Sequence, residues 1–133
     1  MKIGLLIISH GNIGQSLYNA VVTMLGNCPI NTSVLSIRQE HDPEERILKA
    51  KEKIKSLDHG GGVLVLTDMY GSTPSNIACA LRELKEVAIV TGINLPMLVR
   101  IFNYPDLTLE QLVQKALSAG RDGVMSCQKK NHE

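Results

Sequence analysis

The sequence predicts an α/β fold, a single doubly wound and mainly parallel sheet with helices on both faces. Two observations predict it. Four short apolar runs, Ile3–Ile8, Ser33–Ile37, Val63–Leu66 and Glu86–Val90, alternate with longer stretches whose apolar residues have helical spacing. The runs at 3–8 and 63–66 are apolar without a polar alternation, the pattern of a strand covered on both faces. Strands alternating with helices in this way form crossover units and hence a parallel sheet.

Each element has its own signal. After the first strand, apolar residues at 13, 17, 21, 24 and 25 predict a helix over Ile13–Leu25. Val34, Leu35 and Ile37 mark the second strand. Asp42-Pro43-Glu44-Glu45 is a helix start. Asp42 caps it, Pro43 suits the first turn, and the glutamates favour the positive end of the helix dipole. That helix continues to Leu57 and stops at Gly60-Gly61-Gly62. Thr73-Pro74, with Thr73 as cap, opens a helix through Ile77, Ala78, Ala80, Leu81 and Leu84. A short helix over Asn94–Phe102 carries Pro96 in its first turn. Thr108 and Gln111 have capping-box spacing and start the last helix, which ends near Gly120. Gly123–Cys127 reads as a final short strand. We take residues 1–127 as one domain and 128–133 as a flexible tail.

The topology narrows the search for a site. Right-handed crossovers send helices to both faces only if the strand order reverses somewhere. The order 2-1-3-4 sets the first and third strands side by side, with a crevice at their carboxyl ends, where such folds bind ligands. The first strand ends at Ser9-His10-Gly11 and the third at Thr67-Asp68-Met69. His10 and Asp68 are therefore expected to meet.

Composition excludes several classes. The 133 residues are 44% hydrophobic and 20% charged, with a formal net charge of +1, so nothing favours a nucleic-acid backbone as partner. The run at 3–8 is too short to cross a membrane and lacks a cleavage signal, which reads as cytoplasmic. Cys28, Cys79 and Cys127 are far apart and read as buried free thiols. No histidine pair has metal-ligand spacing, so no metal is expected. No P-loop motif is present, and no cofactor is expected.

The crevice residues suit phosphoryl chemistry. Imidazole is nucleophilic near neutral pH and also leaves readily. A carboxylate that accepts the proton of one ring nitrogen fixes the tautomer and frees the other nitrogen to attack. Gly71, Ser72 and Thr73 enter a helix, where unpaired N–H groups and hydroxyls make a phosphate site. His41 beside a helix cap, His59 at a helix end and His132 in the tail have no such setting.

Three stretches carry a resemblance. They are Ser9-His10-Gly11, Thr67 to Asn76 (TDMYGSTPSN) and Thr91 to Leu98 (TGINLPML). Together they resemble the IIA component of the mannose-family (mannose/fructose/sorbose) sugar phosphotransferase systems, over about residues 1–127. The resemblance implies that His10 is the phosphorylated histidine, Asp68 its carboxylate partner, and Thr73 the hydroxyl beside the phosphate. It implies the phosphocarrier protein HPr as donor and a histidine of the IIB component as acceptor, with the IIC and IID membrane components acting downstream in sugar uptake. It also implies a homodimer in which the last strand is exchanged; an uncovered edge of the fourth strand argues for this independently. Tyr70, Met97 and Leu98 are read as the partner surface. Gly71-Ser72 stands where the family often has Gly-Gly. Three other readings stay open: a regulatory module whose phosphorylation is a signal, a donor to a dihydroxyacetone kinase, and a hydrolase. The kinase-donor branch does not share the Gly-Ser-Thr-Pro-Ser-Asn stretch, and the hydrolase reading lacks its GxSxG elbow.

Overall fold

The computed structural model describes residues 2–127. The expected tail, 128–133, lies outside the described residues, as does His132. The elements run β1 (Gly4–His10), α1 (Ile13–Leu25), β2 (Thr32–Ile37), α2 (Pro43–Leu57), β3 (Val63–Thr67), α3 (Thr73–Cys79), β4 (Val87–Thr91), α4 (Leu95–Asn103) and α5 (Leu109–Asp122). The strands form one parallel sheet in the expected order, β2-β1-β3-β4. Register pairs His10 with Ile37 and Ile8 with Thr67.

Alternation along the central strands builds two cores. Leu5, Ile7, Leu64 and Leu66 face one side, packed with Val21 of α1, Leu98 and Ile101 of α4, and Leu112 of α5. Leu6, Ile8, Val63 and Val65 face the other, against Ala50 and Ile54 of α2 and Ile77 of α3. Both faces are buried, which is why these strands read as unbroken apolar runs.

The helix starts follow their local chemistry. Asp42 caps α2, Asn94 caps α4, and Thr108 with Gln111 closes a capping box on α5. Four expectations are corrected. Ser72, not Thr73, caps α3. That helix ends at Cys79 instead of running to Leu84, because Leu81, Arg82 and Leu84 donate to carbonyls three residues back and tighten the chain into turns. Gly123–Cys127 is not a strand; it is exposed and has no sheet partner among the described residues. Cys28 and Cys127 are exposed rather than buried, and all three thiols are free.

One close approach fixes α1 against β1. The Gly14 N–H donates to the buried Ser9 hydroxyl at 2.8 Å. A Cβ on Gly14 would lie 2.7 Å from both Ile7 Cγ2 and Ser9 Oγ. Gly14→Ala is expected to destabilise the protein by about 1–3 kcal/mol, the usual cost of overpacking. A lower urea midpoint with an unchanged slope checks this. An unchanged midpoint would show that the strand yields.

Candidate functional site

The crevice forms at the carboxyl ends of β1 and β3, where the strand order reverses. His10 is the last residue of β1, and Asp68 follows β3 directly. Two His10 nitrogens, in the backbone and the ring, meet one carboxylate oxygen. The His10 backbone N–H donates to Asp68 Oδ2 at 2.9 Å, and Nδ1 lies 2.8 Å from the same oxygen. A carboxylate only accepts, so the ring proton sits on Nδ1 and the Nε2 lone pair is free. The two groups differ in exposure. The Asp68 side chain is 10% exposed and that of His10 47%. The anchor is thus buried while the nucleophile reaches solvent.

The loop from Asp68 to α3 supplies further donors. Gly71 has φ +82, a left-handed conformation that suits glycine. The Ser72 hydroxyl donates to the Met69 carbonyl at 2.6 Å and accepts from the Ser75 N–H at 3.4 Å. The Ser72 N–H also turns to the Met69 carbonyl, at 3.3 Å. Ser72 therefore shapes the loop. The N–H groups of Gly71 and Thr73 have no partner among the described residues, and Thr73 is exposed beside His10.

A cavity of about 610 Å³ opens on this end of the sheet, with His10, Gly11, Arg38, Gln39, His41 and Thr73 in its wall. Arg38 escaped the sequence reading, and His41, set aside there as a residue beside a helix cap, lies in the same wall as His10. Both lie in the connection after β2, and only the pairing of β1 with β2 carries them to His10. The Arg38 N–H donates to His41 Nδ1 at 3.0 Å, and the Arg38 carbonyl accepts from the His41 N–H at 3.1 Å.

The expected partner surface is corrected in part. Tyr70 is exposed, but Met97 and Leu98 are 3% and 0% exposed. Together with Ile101 and Phe102 they make the apolar face of α4, and that face turns to the sheet. The exposed apolar side chains nearest His10 in sequence and at the same sheet end are instead Ile13, Met69 and Tyr70. Among the described residues no cluster of three or more metal-ligating side chains occurs, and no helix is long and apolar enough to cross a membrane.

The sequence model of the family described as PTS system fructose IIA component matches residues 4–117. The PTS system mannose-specific EIIAB component of Escherichia coli strain K12 is 30% identical over 133 residues, which takes in 98% of this chain and 41% of that protein. The chain thus spans less than half the length of that curated relative. The transcriptional regulatory protein LevR of Bacillus subtilis is 29% identical over 119 residues, 85% of this chain and 12% of LevR. In fold, the chain matches the mannose/sorbose specific IIA subunit of the phosphotransferase system from Enterococcus faecalis with a TM-score of 0.87, at 22% identity and full coverage of both chains. With the family's sequence model matched from the first strand to the last helix, the chain belongs to the mannose-family IIA components of the sugar phosphotransferase system.

Proposed function

We propose that the protein is a cytoplasmic phosphocarrier that accepts a phosphoryl group from phosphorylated HPr on His10 Nε2 and passes it to a histidine of a IIB component. The observation that carries this reading is the 2.8 Å contact between His10 Nδ1 and Asp68 Oδ2, which leaves Nε2 free at the mouth of a crevice. Transfer between two imidazoles needs placement and charge stabilisation more than covalent help. As Nε2 bonds to phosphorus, the donor imidazole keeps the electron pair of its broken N–P bond. Positive charge then grows on the His10 ring, and the Asp68 carboxylate stabilises it. The loop Gly71-Ser72-Thr73 holds the phosphoryl oxygens. In this reading the Gly71 and Thr73 N–H groups and the Thr73 hydroxyl donate, and Ser72 keeps the loop in shape.

The test is direct. Incubation with phosphorylated HPr is expected to add one phosphoryl group, and addition of a IIB component is expected to remove it. A protein that gains no phosphate would sink the reading. A second reading, in which phosphorylation is a signal, draws on the likeness to LevR. It requires that phosphorylated protein stay charged when IIB components are supplied.

The protein is further read as a homodimer. Among the described residues β4 pairs only with β3, so its other edge is open. Beside that edge runs a groove of about 690 Å³, walled by Ile89, Val90, Thr91, Leu117 and Val124. Val124 and Met125 are 77% and 80% exposed, unusual for such side chains in a lone protomer. Residues 123–127 of a second copy would add a strand to the open edge and bury both side chains. Truncation after Gly120 is expected to give a monomer by light scattering at micromolar concentration. A truncated protein that stays fully dimeric would rule out the segment as the main contact.

A further inference from the structure

We propose that Arg38 is a cationic ligand of the phosphoryl group carried on His10; this rests on the phosphocarrier reading above. Four observations support it. First, β1 and β2 run in register to His10 and Ile37, and the Gly11 N–H donates to the Ile37 carbonyl at 3.0 Å. Arg38 is therefore the next residue beyond the pair, as Gly11 is. Its Nη1 lies 3.9 Å from the point that a Cβ on Gly11 would occupy, so the guanidinium lies against the backbone adjoining His10.

Second, the guanidinium is held there by a residue that gives up its ordinary task. Asn12 occupies the N-cap of α1, a position where asparagine normally accepts an N–H from its own helix. It makes no such bond. Its Oδ1 accepts instead from Arg38 Nη2 at 2.9 Å. Ser9 takes over the α1 entry through the Gly14 N–H.

Third, Arg38 is also fixed through its backbone, by the two bonds with His41. The His41 Nδ1 is the acceptor in one of them, so the neutral ring carries its proton on Nε2, a further donor in the cavity wall. Fourth, Arg38 forms no ion pair among the described residues. A long, exposed side chain costs entropy to hold in place. Here it is held by a neutral amide, with its charge uncompensated, in the same cavity wall as the reactive ring.

These facts fit a dianionic phosphoryl group on Nε2. A guanidinium has five N–H donors in a planar fork, and Asn12 takes one. The others remain for phosphoryl oxygens. Arg38 forms and breaks no bond in the transfer; it donates hydrogen bonds and positive charge. Without it, neutral donors alone face a group that arrives beside the Asp68 carboxylate.

The experiment uses the full chain, phosphorylated HPr as donor, and Arg38→Ala, Arg38→Lys and Asn12→Ala. Two quantities are read: the transfer rate at saturating donor, and the titration midpoint of phospho-His10 followed by phosphorus NMR. Losing a charge-assisted hydrogen bond is expected to slow transfer about 10- to 100-fold in Arg38→Ala. Arg38→Lys recovers part of the rate, since lysine supplies charge without the fork. Asn12→Ala falls between Arg38→Lys and the unsubstituted protein, because the charge stays but is no longer held. A cation lowers the phosphoryl midpoint, so the midpoint is expected to rise in Arg38→Ala. Asp68, His41, Glu40, Asp42 and Tyr70, titratable groups at the same end of the sheet, are the same in all variants. Label on His10 with rate and midpoint both unchanged in Arg38→Ala overturns this proposal alone. No label on His10 of the unsubstituted protein overturns it together with the phosphocarrier reading.

Discussion

After incubation with phosphorylated HPr, the His10→Ala protein is expected to carry no phosphate, while the unsubstituted protein carries one group on residue 10. This is the largest effect foreseen, a complete loss. Among the described residues, His10 is the only histidine paired with a carboxylate. His41 uses Nδ1 to accept the Arg38 N–H. His59 lies with Nε2 3.4 Å from Asn31 Nδ2, remote from the crevice at the far end of the sheet. Neither has an oriented, free ring nitrogen beside phosphate donors. Mass mapping should therefore find label at residue 10 alone. The linkage should be labile in acid and stable in base, as an N–P bond is. Full labelling of His10→Ala, or label that survives mild acid, would remove the assignment. The His10 side chain is about half exposed, so its removal leaves the fold intact, and circular dichroism should show no change.

Asp68→Asn is expected to slow transfer roughly 10- to 1000-fold with little loss of stability. The geometry explains both halves. Asp68 Oδ2 accepts the His10 backbone N–H and the Nδ1 proton together. An asparagine oxygen in the same place can accept both, so the ring stays oriented. What disappears is the negative charge that stabilises the ring as Nε2 becomes phosphorylated. The same exchange in a hydrolytic triad costs about 10⁴ in rate. A smaller loss is expected here, because phosphoryl transfer depends less on proton removal. Asp68 Oδ1 is buried without a hydrogen-bond partner among the described residues, and an amide nitrogen there is no worse placed than the oxygen it replaces. Stopped-flow transfer from phosphorylated HPr, with urea unfolding as control, separates the two effects. Transfer at the unsubstituted rate would show that the carboxylate charge does not matter.

Much of this site is legible in the chain because its signals are local. Unbroken apolar runs announce strands buried on both faces. Asp42-Pro43, Asn94 and the Thr108–Gln111 pair announce helix starts, since capping joins a side chain to backbone two or three residues away. Strand order then follows from the handedness of crossovers, and with it the meeting of His10 with Asp68 across 58 residues. The sheet order and the carboxylate contact are as these signals require.

Other features depend on which way an element turns, and local chemistry does not settle that. Met97 and Leu98, the last residues of the stretch Thr91–Leu98, are read from the sequence as part of a partner surface. The spacing of Met97, Leu98, Ile101 and Phe102 makes one face of α4, and packing against the sheet decides that this face is inside. Asn12 stands at the N-cap of α1, yet its amide serves Arg38, a partner 26 residues away. Strand pattern and crossover handedness leave few alternatives to the parallel sheet, its crevice and the pair His10–Asp68, so these follow from the chain alone. That Arg38 and His41 share the wall with His10 is settled by packing, because an exposed connection has no periodicity and its reach is set by the register of the strands it joins.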